Sequence, residues 1–218
     1  MNVFDLHCDT LFKANEKSGS IIDNDYEFSL KKALKYNKYT QVMAVWIPDE
    51  YRGADAENLF MQCYNLLKQQ LSKNKEFQQS LKFNSLSNYE VILAIEGGSA
   101  LAGKIENIKK YREMGVRFLT LTWNGSNEIG DGIKCENPKG LTDFGKKAIP
   151  LLEENGIIID VSHASEPLFW NVAELSKKPF VATHSNSRTI CSNMRNLTDE
   201  QFKHICKIGG LVGLNFHR

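Results

Sequence analysis

The chain has 218 residues and a formal net charge of +1, with 27 lysines and arginines against 26 aspartates and glutamates. That length accommodates one sizeable domain with a real core. Charges of both signs are interspersed, which excludes an electrostatic nucleic-acid binder, because such a protein carries a basic excess or stripe. The local basic cluster at residues 31–38 reads as a solvated helix face.

No basic segment followed by an apolar stretch opens the chain, so no signal peptide is expected. No window approaches the roughly 18–20 apolar residues of a membrane span, and no membrane partner is expected. The five cysteines (Cys8, Cys63, Cys135, Cys191 and Cys206) are odd in number, widely spaced and without a CxxC pair. Disulfide scaffolds and zinc ribbons are thereby disfavoured, and the expected compartment is the cytoplasm.

A short strand is predicted at residues 2–6, followed by a buried strand at 41–47 that Pro48 ends. A helix spans about 55–75, with Leu59, Cys63, Leu66 and Leu67 at helical spacing. The apolar run 91–95 ends in Glu96-Gly97-Gly98, a helix follows at about 105–114, and a strand at 117–122. Residues 141–155 read as a helix with Thr142 as N-cap and Gly156 just past its end. Then come a strand at 157–161, a helix at 166–175, a strand at 180–183, a helix at 198–207 and a last strand at 211–216. Strands alternating with helices imply parallel strands with crossover helices, as a doubly wound sheet or a (β/α)8 barrel. Seven short apolar strands favour the TIM-type barrel, whose interior takes branched apolar side chains. Such a barrel typically needs about 250 residues, and this chain reaches only a seventh strand. The expectation is one α/β domain over residues 1–218, a barrel incomplete at its C-terminal end.

Barrel enzymes draw their catalytic groups from the C-terminal ends of the strands. The first strand ends in His7 and Asp9, which strand alternation would place on one side, about 7 Å apart. The strand at 91–95 ends in Glu96, that at 157–161 runs into His163, and that at 180–183 into His184. Taken singly, His7, His163 and His184 read as hydrogen-bonded polar residues, and Asp9 and Glu96 as turn residues. Together at one rim they read as a ligand set. Five such donors suit two metals, with Glu96 as the bridging carboxylate, His7 and Asp9 on one ion, and His163 and His184 on the other. Zinc suits these donors best, with manganese, cobalt and iron admitted. His204 and His217 read as structural or surface residues.

These motifs resemble the membrane (renal) dipeptidase family of amidohydrolase-like barrels. The resemblance rests on Asp5-Leu6-His7-Cys8-Asp9, Ala94-Ile95-Glu96-Gly97-Gly98 and residues 115–122, then on 140–145 and 156–163. It closes with Thr183-His184-Ser185-Asn186-Ser187 and Met194-Arg195-Asn196-Leu197. It implies a binuclear zinc site at His7, Asp9, Glu96, His163 and His184, a water shared by the two ions, and hydrolysis of dipeptides. It further implies that Arg195, read alone as a surface residue, binds the substrate's carboxylate, and that the protein is a homodimer.

Two departures stand out. Where mammalian members carry a substrate-contacting histidine, this chain has Trp123, with Asn124 or Asn127 as partial substitutes. The family's catalytic aspartate lies at the end of an eighth strand that these 218 residues do not reach. A barrel without that strand leaves two unpaired edges, so weak activity and association are expected of this form. The alternatives are hydrolysis of another small amide, lactam or lactone, or a non-catalytic metal-binding remnant.

Overall fold

A computed structural model describes residues 1–81 and 87–216 of the chain. His217 lies outside the described residues. The strands β1 (Asn2–Cys8), β2 (Lys38–Trp46), β4 (Tyr89–Glu96), β5 (Val116–Thr120) and β6 (Ile158–Asp160) pair in that order, all parallel. A two-residue strand, β3 (Gln78–Gln79), pairs with the start of β4 at Glu90 and Val91, where the shorter β5 does not reach. Beyond β6 the order continues through single parallel bridges, Asp160 to Val181 and Ala182 to Val212. The segments predicted as strands at 180–183 and 211–216 are thus bridges rather than ladders. One reason is local: the Thr183 N–H is taken by the Asp160 side chain instead of a neighbouring carbonyl.

The helices are α1 (Thr10–Glu16), α2 (Leu30–Ala33), α3 (Gly53–Ser72), α4 (Asn107–Glu113), α5 (Asp143–Glu154), α6 (Glu166–Leu175) and α7 (Asp199–Lys207). Their ends follow local chemistry. Thr142, Ser165 and Thr198 each accept a backbone N–H at the start of α5, α6 and α7, and Gln201 completes a capping box on α7. The basic cluster at 31–38 departs from expectation, because α2 stops at Ala33 and Lys38 already begins β2. Helix α1 was not predicted; the chain turns into it directly at Asp9. Among the described residues, no helix is long and apolar enough to cross a membrane.

Strands β2, β4 and β5 are buried on both faces, as parallel strands covered by helices are, whereas β1 at the sheet edge is partly open, with Phe4 51% exposed. Alternate residues divide into two cores. Val42, Ala44, Ile92, Ala94, Phe118 and Val181 form the inner cluster, with Leu6 and Ile158 packed against it. Met43, Val45, Val91, Leu93, Ile95 and Leu119 face outward into the layer shared with the helices, where α3 contributes Ala56, Leu59, Phe60, Cys63 and Leu67 at helical spacing. The two layers match a (β/α) barrel wall. Small alanines on β2 and β4 leave room for Phe118, the largest side chain of the inner cluster. Phe118→Ala is expected to cost about 3–5 kcal/mol, read as a lower midpoint in urea denaturation with an unchanged slope.

Candidate metal centre

Strands β1, β4, β5 and β6 each deliver polar residues to one rim at their C-terminal ends. Glu96, the last residue of β4, is only 3% exposed. It is held rigidly because the chain beyond it stays paired: Gly97 and Gly98 donate to the carbonyls of Thr120 and Leu121. Gly97 sits at φ +108°, where side chains are strained, and a Cβ on Gly98 would lie 2.7 Å from the Leu121 carbonyl. Both glycines are therefore required by the backbone path that places Glu96.

Three imidazoles surround that carboxylate. His163 Nε2 lies 3.1 Å and His184 Nε2 3.4 Å from Glu96 Oε1, while His7 Nε2 lies 3.6 Å from Oε2. Asp9 Oδ1 is 3.3 Å from His7 Nε2 and has no hydrogen-bond partner. His7, Glu96 and His184 place one ligand atom each within 4.8 Å of one another. The rings of His7 and His184 stack at 3.8 Å. All five residues predicted as a ligand set thus meet at one place. His7 and Asp9 meet by a different route from the one predicted. A β-bulge after Asp5 and the start of α1 bring them together, not plain strand alternation.

The outer nitrogens decide what the inner ones offer. Asp160 accepts four hydrogen bonds, from Thr120 Oγ1 and Thr183 Oγ1 at 2.6 Å each and from the N–H groups of Ser162 and Thr183. The Thr183 hydroxyl proton is therefore committed to Asp160, and Oγ1 accepts from His184 Nδ1 at 2.8 Å. His163 Nδ1 faces Asn124 Oδ1 at 3.1 Å, with the ring nitrogen as donor. Both Nδ1 atoms carry protons, so both Nε2 atoms present lone pairs, 3.1 Å apart and against one carboxylate oxygen. Lone pairs converging in this way repel unless a cation lies among them, and partners on the far nitrogen are the usual support of metal-binding histidines.

The charges follow. Burial opposes the anion at Glu96, but the charge of the neighbouring His7 holds it well below the ordinary carboxylate range. Burial likewise opposes the cation at His7, but Glu96 and Asp9 raise it to about 9. Burial and the neighbouring His7 lower His184 to about 4, and burial lowers His163.

The centre opens into a cavity of about 1080 Å³ lined among others by Phe12, Trp46, Trp123, Asn124, Met194 and Arg195. Trp123 packs edge-on against Trp46 at 4.8 Å. Arg195 donates to the His184 carbonyl and to Ser185 Oγ, and its buried Nε has no partner. Asn127 instead serves the loop, bonding Leu121, Ile129 and Gly130. That loop bears on His163, which sits at φ +67°, a left-handed conformation unfavourable for a non-glycine residue. Ile133 N–H and Thr122 Oγ1 both donate to the His163 carbonyl and hold it there.

The profile of the membrane dipeptidase family, peptidase family M19, matches residues 1–218. The chain belongs to this family. It is 29% identical over 181 residues to dipeptidase 3 of Mus musculus, covering 79% of this chain and 37% of that one. It is 38% identical over 132 residues to an uncharacterized protein in the PQQ-III 3' region of Acinetobacter calcoaceticus, covering 58% and 42%. The matches thus span less than half the length of these relatives. Among solved structures, a metallo peptidase from Rhodobacter sphaeroides, liganded with a phosphinate mimic of the dipeptide L-Ala-D-Ala, superposes with a TM-score of 0.88. That match has 22% identity and covers 99% of this chain and 74% of the other. Membrane dipeptidases are metallopeptidases, so a metal cofactor is implied, and the donors converging here fit one.

Two residues that sequence reasoning missed hold the centre of this family member from outside. Asp160, 1% exposed, is the charged residue inside the apolar run Ile157-Ile158-Ile159-Asp160-Val161, which was its available signal. Thr183 transmits its effect to His184. Replacing Asp160 by Ala would leave two buried N–H groups and two hydroxyls without their acceptor, and is expected to cost roughly 2–4 kcal/mol, measured by thermal and urea unfolding. Asp131 holds the loop in the same manner. Burial works against its carboxylate, but the N–H groups of Lys139 and Gly140 and the Ser126 hydroxyl outweigh it and lower its pKa. A lowered folded pKa contributes stability above the ordinary value of about 3.8–3.9, lost as pH falls through the folded one. Amide protection factors across residues 124–140 are expected to fall below pH 4 in the native chain, and to show much less of that step in Asp131→Asn.

Proposed function

We propose that residues 1–218 form one domain carrying the two-metal centre of a dipeptidase. His7 and Asp9 would hold one ion, His163 and His184 the other, and Glu96 would bridge them. The observation that carries this reading is the convergence of the His163 and His184 Nε2 lone pairs on Glu96 Oε1, with both Nδ1 atoms engaged elsewhere. Neutral imidazole with carboxylate favours zinc, with manganese, cobalt and iron as alternatives. Two bound ions supply polarisation of a carbonyl and a water whose pKa falls toward neutrality, the requirements of amide hydrolysis.

The chain's own groups supply binding and orientation. Arg195 lines the cavity with its guanidinium held by the His184 carbonyl and Ser185 Oγ, which supports its contact with a substrate carboxylate. Asn124 sets the His163 ring through its Oδ1, so its part in substrate contact falls to the rest of its amide. Trp123 and Trp46 form an aromatic wall that suits an apolar substrate side chain. The phosphinate dipeptide mimic held by the Rhodobacter sphaeroides protein supports a dipeptide as the substrate class. All five cysteines are free, which supports a reducing, cytoplasmic compartment.

The test pairs metal analysis with hydrolysis of L,L- and L,D-dipeptides, set against N-acyl amino acids, for the chain and for Glu96→Gln. Loss of a ligand costs at least as much as loss of an outer partner, about 10–100-fold in metal affinity. Glu96→Gln is therefore expected to lose metal on dialysis and dipeptide turnover with it. Unchanged metal content and turnover in that variant would sink the two-metal reading.

A further inference from the structure

We propose that Asp5 is a positioning residue that turns His7 into the barrel. In an unbroken strand, residues two apart share a face, so His7 would point the same way as Asp5. Asp5 points outward: it pairs with Gln41, and its Oδ2 meets the Tyr39 hydroxyl at 3.3 Å. A regular β1 would thus carry the His7 imidazole away from Glu96, into the outer layer.

The register shows how this is avoided. Pairing with β2 runs from Asn2 opposite Lys38 to Asp5 opposite Gln41, then resumes with Cys8 opposite Met43. Two residues, Leu6 and His7, therefore stand against the single residue Val42, which is a β-bulge. Val42 belongs to the inner cluster, and both bulged residues turn the same way: Leu6 packs on that cluster, and His7 stacks on His184. Cys8 returns to the outer layer with Met43.

The extra residue leaves a backbone N–H without a ladder partner, and Asp5 takes it. Its Oδ1 accepts the His7 N–H at 3.1 Å, the two-residue reach by which aspartate side chains form local turns. Aspartate is otherwise depleted in strands. Its presence in β1, bonded to the backbone of the residue that must be re-aimed, has a positional reason. The link from Asp5 to the orientation of His7 is independent of any ion; the link from His7 to metal affinity rests on the proposed two-metal reading.

Both links are testable on the same variants. In metal-free protein with labelled histidine, the His7 ring protons carry the ring-current shift of the stacked His184 ring. Asp5→Ala is expected to abolish that shift and to lower zinc affinity, measured by chelator competition, by about 10–100-fold. Asp5→Asn keeps an acceptor at Oδ1 and is expected to preserve both, as is Tyr39→Phe, which removes only the outward contact. Asp5→Glu keeps the charge at the wrong reach and is expected to behave as Asp5→Ala, and it carries the test should the alanine variant fail to fold. A folded Asp5→Ala or Asp5→Glu protein that retains the His7 shift overturns the proposal, and so does Asp5→Asn losing it. A native chain that takes up no zinc would defeat the two-metal reading, while the ring-shift comparison would still decide the role of Asp5.

Discussion

The Glu96 carboxylate keeps its charge in a position almost closed to water, and the rest of the rim is arranged around that fact. Moving a carboxylate out of water costs several kcal/mol even after relaxation. The cost is tolerable only where positive charge or hydrogen-bond donors surround the group. Here three imidazoles approach within 3.6 Å, yet two of them already give their ring protons to other partners. In the metal-free chain protonated His7 offsets part of the charge, and a divalent cation held by the same nitrogen would displace that proton and take over its role.

Support for this charge comes from outside the ring of ligands. Asp160 reaches His184 only through the Thr183 hydroxyl, and Asn124 reaches His163 from the loop that follows β5. These partners set tautomers and ring planes, not merely positions. Each lies on a different strand end from the imidazole it orients or on the one before it. The orientation of the donors is consequently a property of the sheet's register. A one-residue slip between β5 and β6 would separate Thr120 from Asp160 and alter the ring it governs.

Much of this was legible in the chain. Helix α6 matches its predicted limits, because Ser165 as cap, Pro167 in the first turn and the apolar spacing all point to the same start. Thr142 and Gly156 bracket α5 for similarly local reasons. The five candidate ligands could be found because a parallel barrel maps strand ends onto one rim, so sequence position translates into spatial position. What escaped depended on partners far along the chain. Helix α1 begins at an aspartate that reads equally as a turn. Segments 180–183 and 211–216 form bridges because side chains intercept their backbone groups. The bulge in β1 is invisible to a period-two pattern, and it reverses the face that the pattern assigns to His7.

His163 offers a different kind of consequence. A left-handed backbone at a non-glycine residue costs on the order of 1–3 kcal/mol, and asparagine or glycine would sit there with less strain. Neither can supply an imidazole. The conformation persists because Ile133 and Thr122 grip the His163 carbonyl while Asn124 grips its ring. The loop and the ligand thus form one cooperative unit: if the loop frays, the backbone relaxes and the nitrogen swings off target. Local unfolding of the segment between β5 and α5, residues 121–142, with the barrel wall intact, would release the His163 ring from its place against Glu96. In that sense the loop acts as the latch on the donor set, and its opening free energy limits how firmly the centre holds its charge.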